Sequence, residues 1–333
     1  METWQGFPEL EACSADFPAH LVHDRHHLLD PNFALWNFKY TLDASPSKIY
    51  ERILLLHNVK SLHRLTVDKL YPIVSPGLLI IPWTQIYSVI VTESFPDKDV
   101  ITLIELAHRL DVVEFLHVNH STLNAFHVTS NSVLSKSLKS FSLNVKVPGT
   151  VHGPIAKYPS TVTVLFDSLT LPALEHFRID FGGACGLAES IVRLLHRSQC
   201  HAFKRLALIN VSKGDLEEIF GAGELQNMEE LLIEKLENAA HLQSVLELLT
   251  QTAGLPQLWT VEIDASAAED SIVACQDAVI QFMESRHWVT NEGSGTLESL
   301  TLHAPAEFEI SEINVQRLEA LRSLGTRFYI YRL

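Results

Sequence analysis

Hydrophobic positions along this chain recur as a six-residue pattern, apolar-x-x-apolar-x-apolar. The last two apolar residues of such a unit share one face of a strand, and the residues flanking them face the other way. The pattern occurs as Leu62–Val67, Ile86–Val91, Val113–Val118, Leu138–Leu143 and Leu174–Ile179, then as Phe203–Leu208, Met228–Ile233, Leu258–Ile263 and Leu297–Leu302. Successive units begin 24, 27, 25, 36, 29, 25, 30 and 39 residues apart. One match is close to chance in an apolar-rich chain, but nine at a loosely regular spacing mark an internal repeat. An extra match, Leu123–Val128, begins only ten residues after Val113 and leaves no room for a helix. It reads as a local strand or hairpin inside one long repeat, or as the true strand with its neighbour shifted.

Between these units apolar residues recur at i, i+3, i+4 and i+7, the spacing of a helix with one buried face. This predicts helices over Asp99–Arg109, Leu187–Arg197, Ala240–Leu249, Glu269–His287 and Ser311–Ser323. Gly186 leads into the second, and Gly254 stops the third. Strand-then-helix alternation predicts an α/β fold of parallel strands with helical crossovers. Two architectures satisfy it. One is a leucine-rich-repeat solenoid, an irregular horseshoe with a parallel concave sheet and helices on the convex side. The other is a closed α/β barrel. Barrel strands are buried on both faces and read as continuous apolar runs. Here alternate positions are polar, as in Arg64 and Thr66, His176 and Arg178, or Thr260 and Glu262. One wet face favours the solenoid. The domain reading is therefore an irregular N-terminal segment over 1–45 and a solenoid of about nine repeats over 46–333.

Four stretches carry a resemblance to a known group: Ser168–Glu175, Ser190–Leu208, Pro82–Ile86 and Leu246–Ile263. With them the chain resembles the leucine-rich-repeat region of fungal F-box-type proteins, over about residues 80–330. The resemblance implies a substrate-recognition part of a ubiquitin-ligase adaptor. In such proteins an N-terminal F-box docks the cullin adaptor Skp1, and the repeats hold the substrate. The F-box itself is not evident in residues 1–50, where Phe7–Leu10 is a faint echo of its opening. Docking to Skp1 is therefore expected only if an F-box is present elsewhere. The asparagine that closes each turn in regular repeats is also missing, Val211 standing at its place after the Leu206 strand. An irregular solenoid is expected for that reason.

Composition narrows the functional classes. Hydrophobic residues make up 47% of the chain, enough for a sizeable core, and 25 basic against 40 acidic residues leave a net charge of −15. The acidity is local. Residues 1–50 carry 3 basic and 7 acidic groups (−4), residues 51–200 carry 13 and 12 (+1), and residues 201–333 carry 9 and 21 (−12). Nucleic acid and anionic membrane surfaces are unfavourable partners for such a chain. Apolar runs such as Leu78–Ile81 stop at Pro82, far short of a bilayer span. The N-terminus lacks a basic region followed by an apolar stretch, and the four cysteines, Cys13, Cys185, Cys200 and Cys275, form no C-x-x-C pair. Together these suggest reduced thiols in the cytoplasm or nucleus.

No motif signals catalysis, so a non-enzymatic protein and no cofactor are expected. His20, His23, His26 and His27 share a helical spacing suited to Zn²⁺ or Ni²⁺, but with no cysteine nearby they read as a solvated segment rather than a metal site. Phe181–Gly186 has the glycines of a phosphate cradle without the spacing of either phosphate-binding motif, and reads as a turn. Gly293-Ser-Gly295 does not complete a nucleophile elbow, and the adjacent pairs Glu217–Glu218 and Glu229–Glu230 face apart. The better-founded site is the wet face of the strands. Its expected partner-binding residues are Arg64, Phe115, His117, His176, Arg178, Arg205, Glu230 and Glu262, a basic and aromatic middle followed by an acidic end. Arginine and aromatic residues are common interface anchors. On the barrel alternative, an enzyme would instead gather Asp68, Asn119, Asp180 and Asp264 at the strand C-terminal ends.

Overall fold

Eight of the nine hexapeptides are strands, or the parts of strands that the structure describes, in the phase that the pattern predicts. The structure, a computed structural model, describes residues 12–16, 35–39, 63–67, 83–92, 97–119, 132–146, 161–236, 238–251, 255–266, 275–288, 297–306 and 308–332. Its strands are β1 (Ala12–Asp16), β2 (Leu35–Lys39), β3 (Arg64–Val67), β4 (Ser88–Val91), β5 (Val112–Asn119), β6 (Val133–Leu134) and β7 (Ser140–Lys146). They continue as β8 (Leu169–Thr170), β9 (His176–Asp180), β10 (Arg205–Ile209), β11 (Glu230–Glu234), β12 (Thr260–Asp264), β13 (Ser299–Ala304) and β14 (Arg327–Arg332). The helices are α1 (Asp97–Leu106), α2 (Thr161–Ser168), α3 (Ala188–Ser198), α4 (Lys213–Phe220), α5 (Ala239–Gln251), α6 (Gln276–Trp288) and α7 (Glu312–Ser323). The chain groups into two compact units, Met1–Leu171 and Pro172–Leu333. No helix among the described residues is long and apolar enough to cross a membrane.

In the second unit six strands, β9 to β14, lie side by side in sequence order, and every pair is parallel. Burial alternates cleanly along three of them. In β12 Val261 and Ile263 are fully buried while Thr260, Glu262 and Asp264 are half-buried, and β9 and β13 repeat the pattern. One face of the sheet therefore carries the core and the other stays open, as polar alternate positions require. The first unit holds six parallel strands, ordered β7-β5-β4-β3-β1-β2, together with the short parallel pair β6 and β8. β1 and β2 lie in the segment expected to be irregular. In neither unit does the last strand return to pair with the first, so the strands do not close into a barrel. The closed barrel is overturned, and with it the gathering of Asp180 and Asp264 at a barrel mouth.

The units repeat through the main chain. In most units the carbonyl just before the strand accepts from two N–H groups of the following unit. Glu175 O takes Lys204 N and Arg205 N at 2.8 and 3.0 Å, Lys204 O takes Glu229 N and Glu230 N, and Glu229 O takes Trp259 N and Thr260 N. Beyond the strands Phe181 N donates to Ile209 O, Asn210 N to Glu234 O, Leu236 N to Asp264 O and Ala265 N to His303 O, at 2.9–3.1 Å. These main-chain bonds join successive turns where regular repeats use an asparagine ladder. One asparagine does serve a turn. Asn210, one residue earlier, takes φ 53° and donates its side-chain amide to Asp180 Oδ1 at 2.6 Å.

Five of the seven helices follow the sequence prediction, four of them within three residues at each end; the fifth, expected over Glu269–His287, is described from Gln276 to Trp288, its expected start lying outside the described residues. The two missed, α2 and α4, have eight residues each and give the helical period too few turns to show. The helices are tied across repeats by buried polar groups. Asp215, 4% exposed near the start of α4, accepts from Gly186 N at 3.0 Å and Ala188 N at 3.1 Å, binding the otherwise orphaned N-terminus of α3. Arg286 of α6 donates to Leu249 O and Leu255 O at 2.9 and 3.0 Å, and so closes the end of α5.

The phase fails once. Phe115, expected on the open face, is 0% exposed and packs edge-on against Phe141 at 5.9 Å between ring centres. The true unit is Leu110-Asp-Val-Val113-Glu-Phe115, which fits the same pattern three residues earlier and buries all three of its apolar positions. The open-face residues of β5 are thus Val112 and Glu114, registered with Ser140 and Ser142 of β7. A register shift between Phe115 and Val118 places His117 at an irregularity rather than in the row. The tenth strand, β14, escaped prediction because Gly325 stands where its first apolar residue would be.

Candidate functional site

The open face of the second unit is built from three rows set by strand register. His176, Arg205, Glu230, Thr260, Ser299 and Arg327 form the first, and Arg178, Ala207, Leu232, Glu262, Thr301 and Tyr329 the second. Strand ends contribute the third: Asp180, Ile209 and Glu234 share one register, and His303 pairs with Asp264 and with Tyr331. Register therefore brings together five of the expected site residues. His176, Arg205 and Glu230 share the first row, and Arg178 and Glu262 the second. Arg64 is exposed in the first row of the other unit, opposite Ser88 of β4. Phe115 belongs to the core.

Most charges on this face are already paired. Arg178 Nη1 and Nη2 donate to Glu234 Oε1 and Oε2 at 3.3 and 3.2 Å, a two-pronged pair that spans β10. Lys235, held at φ 61°, reaches Asp180 at 3.5 Å, and Arg205 lies 3.5 Å from Glu230. Nε2 of His303 lies 3.0 Å from Glu262 Oε1, and its ring stacks on Tyr331 at 5.1 Å and 18°. A basic middle and an acidic end are thus converted into local pairs of opposite charge. His176 and Tyr329 keep exposed side chains beside them, Tyr329 at 44%.

Asp180, Glu234, Lys235, His303, Tyr329 and Tyr331 were not among the expected partner-binding residues. Glu234 and His303 were legible in principle. Each continues the period-two alternation beyond the sixth position, where the repeat pattern stops.

Chemical groups elsewhere are committed to structure. The Phe181–Gly186 loop spends its donors internally: Gly182 N on Asp180 Oδ1, Ala184 N on Phe181 O and Gly186 N on Asp215. It is a turn, with positive φ at Gly182, Gly183 and Gly186, and it offers little backbone to a phosphate. Glu229 and Glu230 face different partners, Lys204 and Arg205. Burial pushes the Cys200 thiol up to about 11 and raises that of Cys275, so neither is poised as a thiolate. Among the described residues no three His, Cys, Asp or Glu side chains are placed to hold a metal ion. The histidine cluster at 20–27, the Leu123–Val128 match, Asp68 and Gly293-Ser-Gly295 lie outside the described residues. Comparison with known proteins returns no match to any family model and none among characterised sequences.

Proposed function

We propose that the stacked strand–helix units form a leucine-rich-repeat solenoid that works as a non-enzymatic protein-interaction scaffold, with the open sheet face as its binding surface. The observation that carries this reading is the register of the second unit. Six strands align their alternate positions in register, and most of these carry half-buried or exposed polar and aromatic side chains, with Ala207, Ile209 and Leu232 the buried apolar exceptions. Such a surface is rigid and extended, and suits a partner that lies across several strands. Because Arg178, Arg205 and His303 are already paired, the partner exchanges hydrogen bonds with those pairs rather than meeting a block of one charge. In the cell this is the substrate-recognition part of an F-box-like ubiquitin-ligase adaptor, acting in the cytoplasm or nucleus. It engages Skp1 only through an F-box supplied elsewhere.

The test compares crosslinked partners of the wild type, of the open-face variant His176→Glu with Arg205→Glu, and of Glu218→Lys on an exposed helix position. Loss of partners from the first variant alone supports the reading; an unchanged set overturns it. Co-purification with Skp1 tests the ligase role separately, and the chain alone is expected not to retain it.

A further inference from the structure

We propose that the outer edge of β14 receives an acidic, extended segment of another protein as an additional strand. The proposal is independent of the open-face reading. β14 pairs with β13 on one side, and no described residue pairs with its other side. The direction of its backbone groups is fixed by two bonds. Arg327 N donates inward to Glu298 O at 2.8 Å, whereas Phe328 O accepts from Arg322 Nη2 at 3.2 Å on the outside. Alternation then turns the N–H groups of Phe328, Ile330 and Arg332 outward, a row ready for a further strand.

Charge selects the occupant. Within a region of net charge −12, this edge is basic. Arg327 and Arg332 are exposed at the two ends of the strand with no ion pair among the described residues, and Arg322 and Arg327 line a cleft of about 410 Å³ with Gly325, Thr326, Phe328 and Tyr329. A second copy of this chain is disfavoured, since pairing β14 with itself brings two edges of the same positive charge together. Arg327 stands on the open face and Arg332, five residues on, on the opposite one. A foreign strand with carboxylates on both of its faces therefore meets both guanidiniums, and exposed Tyr329 and Tyr331 add anchors on the open face. At ordinary ionic strength charges beyond about 8 Å are largely screened, so the segment meets the arginines and not the acidic remainder.

The probe is a fluorescein-labelled twelve-residue peptide of repeated Glu-Glu-Thr-Thr, which sets carboxylates on both faces of an added strand, with a Lys-for-Glu peptide as control, followed by anisotropy on the full chain. Saturable binding of the Glu peptide alone is expected, at least tenfold weaker with Arg327→Glu and Arg332→Glu together. Ile330→Pro removes an outward N–H while leaving the inward bonds to β13, and is expected to abolish binding with the circular dichroism unchanged. Equal binding of both peptides, no binding, or binding indifferent to the arginine variant overturns the proposal. So does sedimentation of the wild type as a dimer that Ile330→Pro dissociates, which assigns the edge to a second copy.

Discussion

Arg178 and Glu234 join hands across a strand that separates them. They stand on β9 and β11, and their two bonds of 3.3 and 3.2 Å cross β10. Beneath them Ala207 and Ile209 are only 4% and 2% exposed, although both occupy open-face positions. The small side chain of Ala207 is what lets the guanidinium lie across. The side chains are 42% and 24% exposed, so solvent screens most of the attraction. A double-mutant cycle with Arg178→Ala and Glu234→Ala in urea should give a coupling of about 0.2–1 kcal/mol. A coupling near 3 kcal/mol would mean that the pair is far drier than its exposure states.

Phe115 and its neighbour Glu114 test the corrected phase of β5. Phe115→Ala should cost about 3–5 kcal/mol, the usual range for a fully buried phenylalanine. Glu114→Ala should stay within about 0.5 kcal/mol, as for a surface change. Chemical denaturation of the two variants decides it; equal stabilities would restore the phase in which Phe115 faces solvent.

That pair also shows why the sequence was legible only in part. Burial with period two is a local signal, so strands whose core residues alternate cleanly, such as β9 and β12, could be read directly. In β5 two hexapeptides three residues apart both fit, and only packing against Phe141 chooses between them. Gly325 hid β14, and eight residues were too few to declare α2 or α4. The charge pairing of the open face was hidden for another reason. It depends on which strands are neighbours and in what register, so Glu234 becomes the partner of Arg178, 56 residues away, only once β10 lies between them.

Asp215 illustrates the same long-range dependence in the core. Its carboxylate accepts from Gly186 N, Ala188 N and, at 2.5 Å, the hydroxyl of Ser212, whose oxygen in turn accepts from Asp215 N at 3.1 Å. Asp215→Ala strands two backbone N–H groups in a buried site and should cost about 2–3 kcal/mol. Ser212→Ala removes one cap bond and should cost about 1 kcal/mol. Gly186→Ala adds a side chain in open space but at φ +78°, and about 1–2 kcal/mol of backbone strain is expected. Thermal or urea unfolding of the three variants should rank them in the order Asp215, Gly186, Ser212. A neutral Asp215→Ala would refute the tie between α3 and α4.

Cys200 gives the fold a pH dependence at the alkaline end. Burial raises its thiol from an ordinary value of 9.0 to about 11, outweighing a hydrogen bond with Ser198 and backbone bonds that favour the thiolate. The folded chain therefore holds this proton more tightly than the unfolded chain does. The resulting stability is complete below about pH 8.5, where both states are protonated. As pH rises past 9 the unfolded thiol ionises first, and the advantage is lost as pH climbs towards 11. Tyrosines and lysines titrate in the same window, so the comparison must be made within one background. Wild type should lose stability to urea more steeply than Cys200→Ala between pH 8.5 and 11, and the two curves should run parallel below pH 8. Parallel curves over the whole range would show that the folded thiol ionises as freely as the unfolded one.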